Sequence, residues 1–66
     1  MINFATYLSN YLWTFTNKKL IIYENNHFVI EGHLADIFLN LEKDYYYYYV
    51  EKVNKKDNKI IIFLVS

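Results

Sequence analysis

Five consecutive tyrosines, residues 45–49, limit how this chain can fold more than any other feature. Tyrosine favours β-strands, so we expect the run to open a strand. Alternate side chains of a strand point to opposite faces, so the run would divide between the two faces of its sheet. A 66-residue chain has too little material to cover both faces. One row of tyrosines is therefore expected at the surface.

Length and composition predict one small domain, residues 1–66, with room for one sheet and one or two helices. The chain has no cysteine, which removes disulfides and argues against a zinc site. Without disulfides or zinc, the fold must be stabilised by its apolar content of 55% or by a partner that completes the core. No apolar run approaches the roughly 20 residues that a membrane span needs, and no export signal is evident. We expect a cytoplasmic protein that does not enter a membrane.

The charge balance argues against a dedicated duplex-DNA binder. Seven acidic residues match seven lysines, and arginine is absent. Arginine is the residue best suited to bidentate contacts with phosphate and guanine. Neutral charge likewise excludes an acidic mimic of DNA.

The first element is predicted to be a helix, with Asn3 as its N-cap. Its opposite side is polar but carries no charge across residues 1–17, and it includes Tyr7 and Trp13. This composition is common at protein interfaces, although a sequence that merely tolerates Asn and Thr on a solvent-exposed surface would explain it equally well. Four apolar residues recur at helical spacing: Phe4, Leu8, Leu12 and Phe15.

A β-hairpin follows, with strands at residues 20–24 and 27–31 joined by Asn25 and Asn26. Two residues that tolerate positive φ suit a tight type I′ turn. The face that holds Tyr23 and Phe28 is wholly apolar, so we expect it to face the core. The turn sets four cross-strand pairs: Tyr23 with Phe28, Ile21 with Ile30, Ile22 with Val29 and Glu24 with His27.

A second helix and a second hairpin complete the predicted fold. Leu34, Ile37, Phe38 and Leu41 recur at helical spacing after Gly32. Residues 45–53 and Lys59–Val65 form the last two strands, and the final one is apolar on both faces. We expect an α+β fold in the order α-β-β-α-β-β, with a mostly antiparallel sheet and both helices packed on one face.

No residue pattern indicates catalysis or a bound cofactor. His27 and His33 have no further ligands at metal-binding spacing. The carboxylates lack a pocket that would raise a pKa, and the chain has no glycine-rich loop for phosphate. We therefore predict no catalytic residue, no metal and no cofactor.

One group of residues is compatible with single-stranded nucleic acid. Bases stack on aromatic rings beside lysine-lined grooves, and the tyrosine run lies close to several lysines in sequence. Glu51 and Asp57 interrupt this basic stretch, and no RNP-type aromatic motif is present. The candidate nucleic-acid contacts are Lys52, Lys55, Lys56 and Lys59.

The sequence favours a non-catalytic protein-binding module, because tyrosine buries much area while fixing only two χ angles. In size and composition the chain is similar to small phage and mobile-element proteins, anti-CRISPR inhibitors among them, although no specific motif is shared. This likeness implies steric occlusion of a larger protein, such as a nucleic-acid-processing enzyme, or completion of one. The alternatives are a single-stranded DNA- or RNA-binding accessory protein and a homodimeric structural module. The candidate partner-binding residues are Tyr7, Trp13, Tyr45, Tyr46, Tyr47, Tyr48 and Tyr49.

Overall fold

The computed structural model describes residues 1–11 and 17–66 and contains one four-stranded sheet in the order β2-β1-β4-β3. The β1/β2 and β3/β4 pairs are antiparallel, whereas the central pair, β1 and β4, is parallel. Both central strands carry apolar residues on both faces. The strands are β1 (Lys19–Glu24), β2 (His27–Gly32), β3 (Tyr49–Lys55) and β4 (Lys59–Val65).

Two short helices, α1 (Phe4–Asn10) and α2 (Leu34–Asn40), and a 3₁₀ helix (Lys43–Tyr47) complete the fold. The chain order therefore confirms the predicted α+β fold and its α-β-β-α-β-β sequence. Asn3 caps α1 as predicted, since its side-chain oxygen accepts from the amide of Thr6 at 2.9 Å. The predicted continuation of this helix through Leu12 and Phe15, and the Trp13 site, lie outside the described residues.

The core lies on one face of the sheet, called here the inner face. Both helices pack there, with Phe4 from α1 and Ile37 from α2 fully buried. The inner-face residues of the central strands are Leu20, Ile22, Ile60, Ile62 and Leu64. The prediction that the helices cover one face is confirmed for the described residues.

The first hairpin has the predicted turn but a different register beyond it. Asn25 and Asn26 have φ of 49° and 68°, as a type I′ turn requires. Tyr23 pairs with Phe28, and Glu24 pairs with His27, as predicted. The predicted pairs of Ile21 with Ile30 and Ile22 with Val29 are wrong: a bulge makes Val29 an extra residue, so Ile22 meets Ile30 and Ile21 meets Glu31.

The hairpin also faces the opposite way from our prediction. Leu20 and Ile22 are fully buried, so Ile21 and Tyr23 point away from the core. Both faces of β1 are apolar, and the hydrophobic pattern alone does not choose between them.

The prediction that the tyrosine run forms a strand from residue 45 is wrong. Lys43–Tyr47 is a 3₁₀ helix, and β3 begins only at Tyr49. Three residues complete one 3₁₀ turn, so Tyr45 and Tyr48 lie on the same side with their ring centroids 5.3 Å apart. The predicted division of odd and even tyrosines between two faces therefore does not occur for residues 45–48.

Candidate functional site

The tyrosine run divides into rings that pack on the core and rings that face solvent. Tyr45, Tyr46 and Tyr48 are partly buried against the core. Tyr47 is 71% exposed and Tyr49 is 47% exposed. The expectation that some of the run stays at the surface is confirmed for these two residues.

Tyr7 lies in the core rather than on a docking face. Only 9% of it is exposed, and its ring centroid lies 5.0 Å from that of Tyr11. Burial, with a smaller contribution from Tyr11, raises the pKa of the Tyr7 hydroxyl. A buried ring offers a partner little surface, so the structure gives no support to the partner-binding role predicted for Tyr7.

The second face of the sheet, called here the outer face, carries several aromatic side chains, of which Phe28 and Tyr49 are exposed. Strand alternation and register place on it every second residue of β1 and β4 and their neighbours on the edge strands. None of these side chains belongs to the buried core, and no described helix packs over them. The outer-face residues are Lys19, Ile21, Tyr23, Phe28, Glu31, Tyr49, Lys52, Asn54, Lys59, Ile61, Phe63 and Val65.

An aromatic row crosses the outer face from one edge strand to the other. Phe28 meets Tyr23 edge-on with centroids 6.0 Å apart, and Tyr23 stacks on Phe63 at 5.2 Å with an interplanar angle of 15°. Lys52 ends the row, with its Nζ 4.6 Å from the Phe63 ring centroid. Sequence reasoning paired Tyr23 with Phe28 but missed Phe63, because the parallel β1/β4 pairing that joins them leaves no local signal.

The stacking in this row decides which part of each ring a partner can reach. Adjacent strands lie about 4.8 Å apart, so parallel rings at nearly that spacing have their faces turned toward each other. Lys52 occupies the other face of Phe63. The row therefore presents ring edges to solvent, together with the half-exposed ring of Phe28, which is 55% exposed.

Charge is unevenly distributed although the chain is neutral. The parallel register places Lys19 directly beside Lys59, where both central strands begin. Lys18 reaches the same end, since its Nζ donates to the carbonyl oxygen of Asp57 at 2.7 Å. Lys19 also pairs with Glu31 at 2.7 Å. Lys55 at the end of β3 and Lys56 directly after it join this group, so this end of the sheet is basic.

The opposite end is acidic and contains Tyr48. Burial raises the pKa of the Tyr48 hydroxyl, and nearby Glu24, Asp44 and Glu42 add to the shift. The candidate nucleic-acid residues therefore do not all adjoin the tyrosines: Lys55, Lys56 and Lys59 lie at the far end of the sheet, and only Lys52 touches the aromatic row.

A cleft lies between the two helices. Its volume is about 300 Å³, and its lining is Ala5, Leu8, Ser9, Phe38 and Tyr46. No charged side chain lines it. Within residues 1–11 and 17–66, no group of three or more His, Asp or Glu side chains is placed to share a metal ion.

Comparison with known proteins gives this chain no family. No protein-family model matches it, and neither a curated protein nor a solved structure matches it. Among the described residues, no helix has the length and apolar character to cross a membrane.

Proposed function

We propose that this chain is a non-catalytic protein-binding module that docks its outer face on a larger protein, as an inhibitor by occlusion or as an accessory subunit. We place it in the cytoplasm and group it with small phage and mobile-element proteins, on the size and composition noted above. The observation that carries the proposal is the aromatic row of Phe28, Tyr23 and Phe63, which crosses a sheet face that no described helix covers. Exposed apolar patches of this kind on small domains mark interaction surfaces.

The ring geometry favours a protein partner over stacked bases. Bases need open ring faces, but Tyr23 and Phe63 cover each other and Lys52 covers Phe63. Ring edges and aliphatic side chains instead suit the packed centre of a protein interface. Tyr49, on the same face, supplies a further aromatic anchor with a hydroxyl group.

Contact with single-stranded nucleic acid is a second candidate, favoured by the basic end of the sheet. Lys19 and Lys59 lie side by side there, with Lys55 at the end of β3 and Lys56 directly after it. Such a site would hold phosphates without stacking the bases, so its binding would be weak and strongly dependent on salt.

Differential capture tests the leading proposal. The wild-type chain is immobilised and exposed to lysate of its native host beside a Phe28→Thr/Tyr49→Thr variant, which removes two exposed outer-face rings. A Phe38→Gln/Leu39→Gln variant removes two exposed apolar side chains from α2 and is the matched control. We expect a stoichiometric protein that the wild type and the control retain and the outer-face variant loses. A captured protein that only the α2 variant loses would move the binding site to the helices.

A further inference from the structure

The outer face has a relief that is complementary to itself. The aromatic row of Phe28, Tyr23 and Phe63 forms a ridge across three strands. The next outer-face row, two residues or about 7 Å along the strands, holds the smaller Ile21 and Ile61 at its centre, directly paired, with Glu31 and Asn54 at its two ends. This row forms a trough between the aromatic ridge and the lysines where the central strands begin.

We propose that a second copy of this chain occupies the outer face of the free protein, with the strands of the two copies antiparallel. The inference rests on the proposed function, because it assigns an occupant to the same surface. A two-fold axis in the plane of the interface, perpendicular to the strands and between ridge and trough, sets each ridge into the other copy's trough. Such an interface is isologous and closes as a dimer.

Charge selects this orientation over the alternative. If the strands of the two copies ran in the same direction, Lys19 and Lys59 of both copies would meet at one end. In the antiparallel pair the two lysine groups are about 20 Å apart, beyond the screening length of about 8 to 10 Å at physiological salt. Lys19 of one copy then lies over the first hairpin turn of the other, Asn25 and Asn26.

Area predicts that this pairing is weak and reversible. Four strands about 4.8 Å apart and about 20 Å long give a face of roughly 400 Å² per copy. A stable complex buries about 800 Å² per partner, so the dimer belongs among weak, transient interfaces. A larger partner with better complementarity displaces the second copy from the same face.

Sedimentation velocity and amide NMR between about 10 µM and about 1 mM test the pairing. We expect the mean mass to rise toward that of a dimer, with concentration-dependent shifts confined to the outer face. Ile21→Thr with Ile61→Thr makes the trough polar but keeps β-branched residues, and should weaken association at least tenfold. Leu39→Gln, at an 82% exposed position on α2, should not change it. Retained amide dispersion establishes that each variant is folded.

A spin label tests the orientation, because the chain has no native cysteine. A nitroxide on Lys59→Cys is mixed with isotope-labelled wild type, so that only contacts between copies broaden signals. Antiparallel pairing predicts broadening at Val65, whereas broadening at Lys19 without Val65 would overturn it.

The two proposals fail separately. A strict monomer at about 1 mM, with shifts absent from the outer face, overturns the dimer. If the wild type still captures a protein that the Phe28→Thr/Tyr49→Thr variant loses, the proposed function stands without the dimer. If the dimer forms as described and no captured protein depends on the outer face, the proposed function fails and the dimer stands.

Discussion

The hydroxyl group of Tyr46 donates a hydrogen bond to the carbonyl oxygen of Ile37 at 3.2 Å. The same carbonyl accepts from the amide of Leu41 at 2.9 Å, at the end of α2. The Tyr46 ring also stacks on Phe4 of α1, with centroids 5.8 Å apart. One side chain of the tyrosine run therefore joins the 3₁₀ helix to both α-helices, which identifies part of the run as structural.

Tyr46→Phe should lower the free energy of unfolding by about 1 kcal/mol, because it removes one hydrogen bond and keeps the stacked ring. For a domain of this size the melting temperature should fall by about 4 to 8 °C. Urea titration and thermal melts followed by circular dichroism measure both quantities. Tyr47→Phe is the matched control, since Tyr47 is next to Tyr46 in the chain and is 71% exposed. Equal losses in the two variants would show that the Tyr46 hydrogen bond contributes nothing.

The sequence was sufficient for the order of elements and for most of their bounds. Periodic apolar residues located α2, and the predicted Lys59–Val65 strand coincides with β4. The Asn25-Asn26 turn was identified because few residues accept positive φ. These features depend on local chemistry, which a single sequence displays directly.

The local sequence pattern could not predict which face of each central strand is buried. Both faces of β1 and β4 are apolar, so periodicity could not tell Ile22 from Ile21 as the buried residue. The aromatic row depends on β1 lying parallel to β4 across more than 30 intervening residues, a pairing set by the whole fold. The outer face was therefore expected to exist, but most of its residues were not identified.

The tyrosine run shows tertiary contacts overriding propensity. Tyrosine favours strands, yet the amide of Phe4 bonds the carbonyl of Tyr48 at 2.8 Å, and that of Val50 bonds the carbonyl of Ile2 at 2.9 Å. These bonds to the chain's first residues set where β3 begins, and a 3₁₀ turn directs Tyr45 and Tyr48 to the same side. Long-range contacts of this kind leave no trace in the local sequence.

The free energy of unfolding should decrease at alkaline pH, because the hydroxyl groups of Tyr7 and Tyr46 then ionise. Burial raises the pKa of both hydroxyls above the ordinary value of about 10. When the folded-state pKa of a group lies above its unfolded-state pKa, its contribution to stability is fully present below the unfolded-state pKa. This contribution is lost as pH rises through the folded-state pKa. Urea titrations from pH 8 to about pH 11 should show this loss. Tyr46→Phe should show a shallower decline than wild type, and an identical slope would contradict the assignment.

Gly32→Ala should destabilise the fold by about 1 to 3 kcal/mol. A Cβ atom at Gly32, where φ is 157°, would lie 2.8 Å from the Cβ of Asp36. Asp36 cannot easily move, because its carboxylate accepts from the amide of His33 at 3.0 Å and caps α2. Urea denaturation measures the cost. Ala35→Gly, at an exposed position of α2, should cost no more than about 1 kcal/mol, so an equally small effect at Gly32 would contradict the clash.

Oligonucleotide binding separates the two candidate functions. We expect no single-stranded DNA or RNA to bind more tightly than about 10 µM at physiological salt, the weak non-specific range. Fluorescence anisotropy between about 50 and 200 mM salt measures this. Tighter binding that falls steeply with salt and is lost in Lys55→Glu/Lys56→Glu would favour the nucleic-acid candidate.

Alanine substitutions in a captured complex should show that aromatic area, rather than charge, carries the affinity. Removing a ring from the desolvated centre of an interface costs about 2 to 4 kcal/mol, whereas an exposed charge at the rim costs less than about 1. Tyr49→Ala should therefore weaken binding at least tenfold with an unchanged circular dichroism spectrum. Tyr47→Ala tests whether the interface extends beyond the outer face, and Trp13→Ala tests the partner-binding role predicted for Trp13 from the sequence.

Charge reversal at Glu42, Asp44 or Lys59 is the matched comparison, because these side chains are exposed and lie away from the aromatic row. Calorimetry on the purified complex should give each reversal a Kd within about threefold of wild type, consistent with the small worth of exposed charges. The opposite result would show that the aromatic row is not the binding surface. If the alanine variants bind normally and the reversals abolish the complex, recognition runs through the charged ends of the sheet. The ring edges of Tyr23 and Phe63 would then be a solvent-facing part of the fold, with no role in binding.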